Sequence, residues 1–116
     1  MPIQTRYLFT AAMDVEPGKD AIFNEVYDKE HVPSLLEVPG VIAVARFKRR
    51  ELEMFIGGER RKIVIEGEPT YTAIYEVESP SVLVTPQWAA AVEKGRWPGQ
   101  VRPYTKNRRH VMWEKV

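Results

Sequence analysis

The distribution of apolar and polar residues along the chain predicts four β-strands in one sheet. Residues 6–13, 41–48 and 70–77 are short runs rich in β-branched and aromatic side chains, which are typical of strands. The run at 70–77 also shows the period of two that a half-buried strand requires. Residues 107–116 form the last run of this kind. Segments with a different period lie between these strands and predict helices.

The first predicted helix lies between the first two strands. Apolar residues between positions 22 and 27 fall on one arc when the chain turns by about 100° per residue, which favours an amphipathic helix. Proline in a helix interior removes a hydrogen bond and clashes with the preceding turn, so Pro33 is predicted to end this helix. One further helical turn over residues 34–38 is an open alternative.

A second helix is predicted near residue 90. Pro80 and Pro86 each follow a serine or threonine, a pair that is typical of a helix N-cap and the first helical position. The segment at 86–94 therefore predicts a helix, and Gly95 is suited to end it. Residues 96–103 are predicted to form a loop.

The order of these elements predicts the fold class. Residues 49–68 are a charged insertion, in which a glycine pair at 57–58 predicts a β-hairpin. Without this insertion, the order is strand, helix, strand, strand, helix, strand. This order is the α+β, ferredoxin-like split βαβ arrangement, with a four-stranded antiparallel sheet and both helices on one face. The length of 116 residues suits one domain, residues 1–116.

The predicted sheet is apolar on both faces, although helices cover only one. In the second strand, Val41, Ala43 and Phe47 are predicted on one face, and Ile42 and Val44 on the other. A sheet that is apolar on both sides needs a second partner, and the simplest partner is another copy of the chain. We therefore expect a homodimer that forms through the sheet face.

Composition narrows the classes of function. The net charge of +1 gives no overall attraction for nucleic acid, and the short KNRRH and FKRR clusters lie near glutamates. The absence of cysteine excludes disulfides, thiolate chemistry and metal sites built from cysteine. No apolar run approaches the roughly 18 to 20 residues that span a bilayer. The start MPIQTRYLFT lacks the features of a signal peptide, so we expect a cytoplasmic protein without a membrane partner.

The segment FNEVYDKEHVPSLLEVPGVIAVARF resembles the dimeric α+β barrel superfamily, especially its EthD-like branch. A Tyr-x-x-x-His-x-Pro element followed by Pro-Gly-Val carries the resemblance, and EGEPTYTAIYEV and HVMWEKV extend it to later strands. The resemblance implies that two sheets pair as a dimeric eight-stranded barrel, with a ligand cavity in each subunit. It also implies that His31 faces this cavity, with Tyr27 one turn earlier. The histidine and asparagine arrangements of the haem-binding branches have no counterpart here, so we expect no cofactor.

His31 and Tyr27 are the predicted catalytic residues. The ordinary pKa of histidine, near 6.5, suits proton transfer at neutral pH, and Tyr27 can supply a phenolic hydrogen-bond donor. The alternative is that His31 caps the helix end, where a cation complements the helix dipole. Glu30 falls inside the apolar arc, where a carboxylate needs a partner. Either the helix bends before it, or it pairs with an arginine or with His31.

Four further residues are predicted to bind substrate. Arg46 is the only charged residue inside the second strand and can hold a carboxylate or enolate if it points into the cavity; a surface ion pair is the alternative. Trp88 is predicted to wall the cavity or to lie in the core, Trp97 to cover the cavity from a mobile loop, and Tyr71 to contact substrate from the third strand. His110 is interpreted as an exposed strand residue.

The leading functional hypothesis is a dimer that binds a small aromatic or polyketide-like molecule. It would process this molecule without a cofactor as a cyclase, isomerase, decarboxylase or monooxygenase, since such chemistry suits an apolar cavity with few polar groups. A non-catalytic ligand-binding or stress-associated dimer is the second hypothesis. A module that binds single-stranded nucleic acid is the third, and the doubly apolar sheet argues against it. No metal-ligand spacing or phosphate-binding loop occurs.

Overall fold

A four-stranded antiparallel sheet forms one layer of the protein in a computed structural model that describes residues 3–116. Its strands are β1 (Tyr7–Val15), β2 (Val41–Lys48), β5 (Tyr71–Val77) and β6 (Thr105–Glu114), in the spatial order β2-β5-β1-β6. This is the predicted ferredoxin-like α+β arrangement. The bounds of β2 match the prediction, and those of the other three strands differ by one or two residues. The first two residues of the predicted domain lie outside the described range.

The inserted segment forms the predicted β-hairpin, with strands β3 (Leu52–Ile56) and β4 (Glu59–Ile63). Gly57 and Gly58 connect the strands with φ angles of +60° and +83°. Positive φ at both turn residues is what a tight two-residue hairpin requires, and glycine supplies it at the lowest steric cost. The hairpin is a separate two-stranded sheet, and its side chains are mostly exposed.

The first helical segment continues past the proline that was predicted to end it. It consists of α1 (Asp20–Val26), a π-helical turn (Tyr27–His31) and α2 (Val32–Leu36). The prediction that Pro33 ends the helix is wrong because Pro33 occupies the first turn of α2, where the missing N–H is tolerated. The π turn directly precedes α2, and in it the Val32 backbone N–H donates to the Tyr27 carbonyl five residues earlier.

The second helical segment is shorter than predicted. A 3₁₀ turn (Pro80–Val84) precedes α3 (Pro86–Ala91), and the Thr85 side chain caps α3 by accepting a hydrogen bond from the Trp88 backbone N–H. The segment at 96–103, predicted as a loop, is mostly helical, with a π turn (Trp97–Val101) and a 3₁₀ turn (Arg102–Tyr104).

The core lies between the helical layer and one face of the sheet. Alternate residues of β5 point into it, so that Tyr71, Ala73, Tyr75 and Val77 are all buried. The face assignment predicted for β2 is wrong at Val41, because a bulge between Val41 and Ala43 shifts the register. Val41 is buried on the helix side, whereas Ala43, Ala45 and Phe47 lie on the side that no helix covers.

The uncovered face of the sheet is apolar, as predicted. Phe47 is 55% exposed on it and Trp113 is 54% exposed. Leu8, Ala43, Ala45 and Ile74 lie in a shallow depression on the same face. A contiguous exposed patch of this kind is uncommon on a monomeric protein and indicates an interaction surface.

Candidate functional site

A cavity of about 350 Å³ opens between the sheet and the helical layer. This volume lies in the range of pockets that hold small molecules. Its wall consists largely of aromatic side chains from β1, β5 and all three helical regions: Phe9, Tyr27, Tyr75, Trp88 and Trp97. His31 contributes its imidazole to the same wall.

His31 is buried in this wall, with 6% of its surface exposed. Its ring stacks on the Trp97 indole at a centroid distance of 4.0 Å and meets the Tyr27 ring edge-on at 5.0 Å. Its Nδ1 atom is enclosed and has no hydrogen-bond partner among the described residues. Buried polar atoms are nearly always paired, so an unpaired one in a cavity wall marks a place for ligand or solvent.

The environment of His31 keeps its imidazole neutral. Burial, together with the positive charges of Arg102 and Arg46, lowers the pKa of His31 to about 4. A neutral imidazole does not complement a helix dipole, and the helix continues beyond His31. The alternative of a cationic cap therefore does not fit the geometry. A neutral imidazole can accept a proton or a hydrogen bond from a bound molecule.

Tyr27 and Tyr75 form a buried pair of phenols at one side of the cavity. Their hydroxyl oxygens are 2.5 Å apart, and either can donate to the other. Burial raises the pKa of Tyr27 to about 12 and the pKa of Tyr75 well above its ordinary value. Both phenols therefore keep their protons near neutral pH. The pair has one hydroxyl proton left to donate to a ligand.

Both predicted tryptophans line the cavity, but Trp97 lies elsewhere than predicted. Trp88 meets the rings of Tyr75 and Phe9 nearly edge-on, at 5.9 and 6.0 Å. Trp97 is only 6% exposed and packs against His31 at the start of a helical turn, so its assignment to a loop is wrong. Aromatic stacking and burial, rather than a hinge, hold Trp97 in place.

Glu30 holds the segment that carries Trp97. Its carboxylate accepts hydrogen bonds from the Arg96 backbone N–H at 2.9 Å and from Arg96 Nε at 2.5 Å. A side chain on Gly95, which has φ of +66°, would collide with Glu30 Oε1. Of the alternatives for Glu30, the structure shows the arginine partner. These hydrogen bonds lower the pKa of Glu30, so the contact persists near neutral pH.

Arg46 and Tyr71, both predicted to bind substrate, do not line this cavity. Arg46 donates to Asp28 at 2.7 Å and to Asn24 at 2.8 Å, and its guanidinium lies 4.4 Å from the centre of the Tyr27 ring. The Tyr71 hydroxyl donates to Asp20 at 2.7 Å. The ion pair that was the alternative for Arg46 is therefore the arrangement that the structure shows.

Several cavity residues were not among the predicted site residues, and those with polar groups of possible use include Tyr75, Arg102, Arg108 and His110. His110 is exposed, as interpreted, but it also stacks on Phe9 at 5.8 Å at the edge of the cavity. Tyr75 was identifiable in principle, since it shares the inward parity of β5 with buried residues. Arg102 lies in the segment predicted as a loop, where no periodicity indicates direction.

No family model and no curated protein matches the chain. Several solved structures match it. A Bordetella bronchiseptica protein that carries the name antibiotic biosynthesis monooxygenase matches with a TM-score of 0.65 and 18% identity over 97% of this chain and 99% of that chain. SnoaB from Streptomyces nogalater, a cofactor-independent oxygenase, matches with 0.59 and 13% over 94% and 91%. An EthD family protein from Bacillus halodurans matches with 0.56 and 12% over 95% and 99%.

The chain has the ferredoxin-like fold of these proteins. The fold that the resemblance implied is thus confirmed, and an EthD family protein is among the structures that share it. The pairing of two sheets into an eight-stranded barrel stays a prediction. Identities below 20% carry the fold only, because one fold hosts many unrelated activities.

Two classes of feature do not occur in the described part of the chain. Residues 3–116 contain no group of three or more histidine, aspartate or glutamate side chains placed to hold a metal ion. None of the helices within that range is long and apolar enough to cross a membrane. The distinguishing features of the site are its aromatic wall, its neutral histidine and its phenol pair.

Proposed function

We propose that the protein binds a small aromatic molecule in the cavity and transforms it by proton transfer without a bound cofactor. The observation that carries the proposal is the neutral, buried imidazole of His31, whose Nδ1 lacks a partner in an aromatic wall. The aromatic wall suits a flat ligand of two or three rings, since stacking and edge contacts with aromatic side chains are favourable. The volume of about 350 Å³ is at the lower end of the range for ligand pockets.

In this proposal, His31 accepts a proton from a carbon or a phenol of the bound molecule. The oxygen that gains negative charge accepts a hydrogen bond from Tyr75, which in turn accepts one from Tyr27. Such a chain of hydrogen bonds is stronger than its separate members because each bond polarises the next. Loss of the proton yields an enolate or phenolate, a common first step of isomerisation, cyclisation, decarboxylation and cofactor-independent oxygenation.

The exchange of acidic C–H protons tests this step without knowledge of the natural substrate. 2-Tetralone is a two-ring ketone whose C1 protons exchange with deuterium from D2O through its enolate. We expect the protein to accelerate this exchange over buffer, and we expect His31→Gln to lower the acceleration about 10²-fold or more. NMR spectra of the ketone give the rate, and calorimetric titration gives its dissociation constant.

The same experiment separates catalysis from binding alone. The low pKa of His31 makes it a weak base, which favours the second candidate function, a non-catalytic binding protein. If 2-tetralone binds but exchanges at the rate of buffer, the catalytic proposal is wrong and the binding function stands. If exchange is accelerated equally by wild type and His31→Gln, a different group is the base.

We further propose that the protein is a homodimer whose two sheets face each other. The supporting observation is the apolar uncovered face, on which Phe47 and Trp113 are more than half exposed. An isologous contact between two such faces would bury the same apolar patch from each copy. The cytoplasmic location likewise stays a prediction.

Phe47→Asp is expected to convert the dimer to a monomer at micromolar concentration, because it places two charges in an apolar interface. Light scattering after size-exclusion chromatography gives the mass. Val84→Asp is the control, since Val84 is 84% exposed on the helical side and is expected to leave the dimer intact. A wild-type mass of one chain at this concentration would contradict the dimer.

A further inference from the structure

The edge of the cavity carries positive charge that no carboxylate in its wall offsets. The positive charges are those of Arg102 and Arg108, since burial lowers the pKa of His110 beside them, and none of the described lining residues is Asp or Glu. Glu93, which lies outside the wall, holds Arg102 through two contacts of 2.6 and 2.9 Å. The Arg108 side chain makes no hydrogen bond or ion pair within residues 3–116, although Arg109 beside it is paired with Glu68.

Alternation along β6 places Arg108 on the cavity side. Arg108 lies two residues before His110, whose register partner Ala11 also lines the cavity. The register between β1 and β6 then shifts around Met13, so that Asn107 and Arg108 together face this one residue. Asn107 has a left-handed φ of 51°, which asparagine tolerates better than most residues. Its side-chain amide donates to Asp14 Oδ2 at 3.0 Å and to the Gly67 carbonyl at 2.7 Å, so the bulge next to Arg108 is held in place.

The result is a two-part site. The inner part has an aromatic wall that includes Tyr75, Trp88 and Trp97, and the outer part has Arg108 and His110, two residues apart on one face of β6. A guanidinium without a protein partner is suited to bind a carboxylate through two parallel hydrogen bonds. His110 lies in the same wall, with its imidazole flat against Phe9. Its ring N–H can add a hydrogen-bond donor there.

We propose that the ligand of this cavity is an aromatic carboxylate, with its rings in the inner part and its carboxylate at Arg108. The proposal rests on the proposed function, because it assumes that the cavity binds an aromatic molecule. It adds the charge of that molecule and the residue that recognises it. Arg108 would then act as a binding and specificity residue, distinct from the proton acceptor at His31.

A matched pair of ligands tests the charge separately from the rings. 2-Naphthoate and 2-naphthamide have the same two rings and nearly the same size, but only the first is an anion at pH 7. We expect the protein to bind 2-naphthoate about tenfold more tightly than 2-naphthamide in calorimetric titrations at low salt, as one charge-assisted contact at a partly exposed site provides. Added salt should weaken the binding of 2-naphthoate and leave that of 2-naphthamide unchanged.

Arg108→Gln should remove this preference by weakening 2-naphthoate about tenfold without changing 2-naphthamide. Arg109→Gln is the matched control, because it removes the same charge from the neighbouring position, where the side chain pairs with Glu68. It should change neither affinity, and light scattering should give both variants the mass of wild type.

The outcomes distinguish a failure of the carboxylate assignment from a failure of the proposed small-molecule function. The carboxylate assignment is overturned if wild type binds both probes with equal affinity, or if both arginine variants lose equal affinity for 2-naphthoate. In either case, binding of 2-naphthamide still supports the aromatic cavity. If neither probe binds, the proposed small-molecule function is overturned, and the carboxylate assignment with it. A preference for 2-naphthoate that only Arg108→Gln abolishes supports both.

Discussion

When the pH is lowered from 7 to 4, the free energy of unfolding is expected to fall by about 3 kcal/mol less in His31→Phe than in the wild type. Histidine has a pKa of 6.5 when it is unfolded and exposed, and burial lowers the pKa of His31 to about 4 in the folded protein. Between these values the unfolded chain binds a proton that the folded chain does not. The free energy of unfolding therefore falls as the pH falls through this window.

The size of the effect follows from the two pKa values. Each unit of difference corresponds to about 1.4 kcal/mol, and most of the difference has been expressed once the pH reaches the folded value near 4. Above pH 7 both states are neutral, so the histidine makes no pH-dependent contribution. Urea denaturation of wild type and His31→Phe at pH 7, 6, 5 and 4 gives the free energies of unfolding, and their difference should change with pH.

Carboxylates also lose stabilising contacts in acid, but they do so in both proteins. Hydrogen bonds lower the pKa of Glu30, Glu76 and Glu93, so protonation of these groups weakens the fold on acidification. This common contribution cancels in the comparison. If phenylalanine disturbs folding, His31→Gln provides the same comparison with a polar side chain. Parallel pH profiles for the wild type and both variants would show that His31 titrates like an exposed histidine.

The sequence pattern did not predict the burial of His31, because the helical period changes near this residue. A period of 3.6 residues places Glu30 inside the apolar arc and His31 at its margin. In the structure, the buried positions Phe23, Tyr27, His31 and Leu35 recur every four residues, because a π turn widens the helix between α1 and α2. Glu30 is thereby turned out of the core towards an arginine. The four-residue recurrence was present in the sequence, but a regular helix does not account for it.

Strands were easier to predict than the cavity. A short run rich in β-branched and apolar residues identified β2 to the residue, and alternation identified β5 to within one residue. Arg108 was not identified, although it shares the parity of His110, because the first six residues of β6 are all polar and no apolar alternation marks their cavity face. Arg46 was placed correctly on its strand, but its partner Asp28 comes from the helix and depends on the three-dimensional packing.

Trp97→Ala is expected to lower the free energy of unfolding by about 3 to 4 kcal/mol, the usual cost of removing a large buried aromatic side chain. A tryptophan on a hinged lid would cost far less, because a lid makes few contacts that the folded state requires. The buried indole instead stacks on His31 and meets Tyr27 edge-on at 4.9 Å. Urea denaturation at pH 7 measures the difference, with Trp88→Ala as the comparison on the opposite wall of the cavity.

Trp97→Ala should also change the pKa of His31, which the Trp97 indole covers. Removal of the indole admits water to the imidazole, so the desolvation that lowers the pKa of His31 is relieved and the pKa should rise from about 4 towards 6.5. NMR titration of the His31 ring protons measures this rise, and Trp97→Leu provides a smaller cavity if the alanine variant is too unstable. A stability loss below about 1 kcal/mol together with an unchanged pKa would show that Trp97 is a loosely held cover. A large loss with a raised pKa means that one packing contact both stabilises the fold and keeps the proposed base neutral.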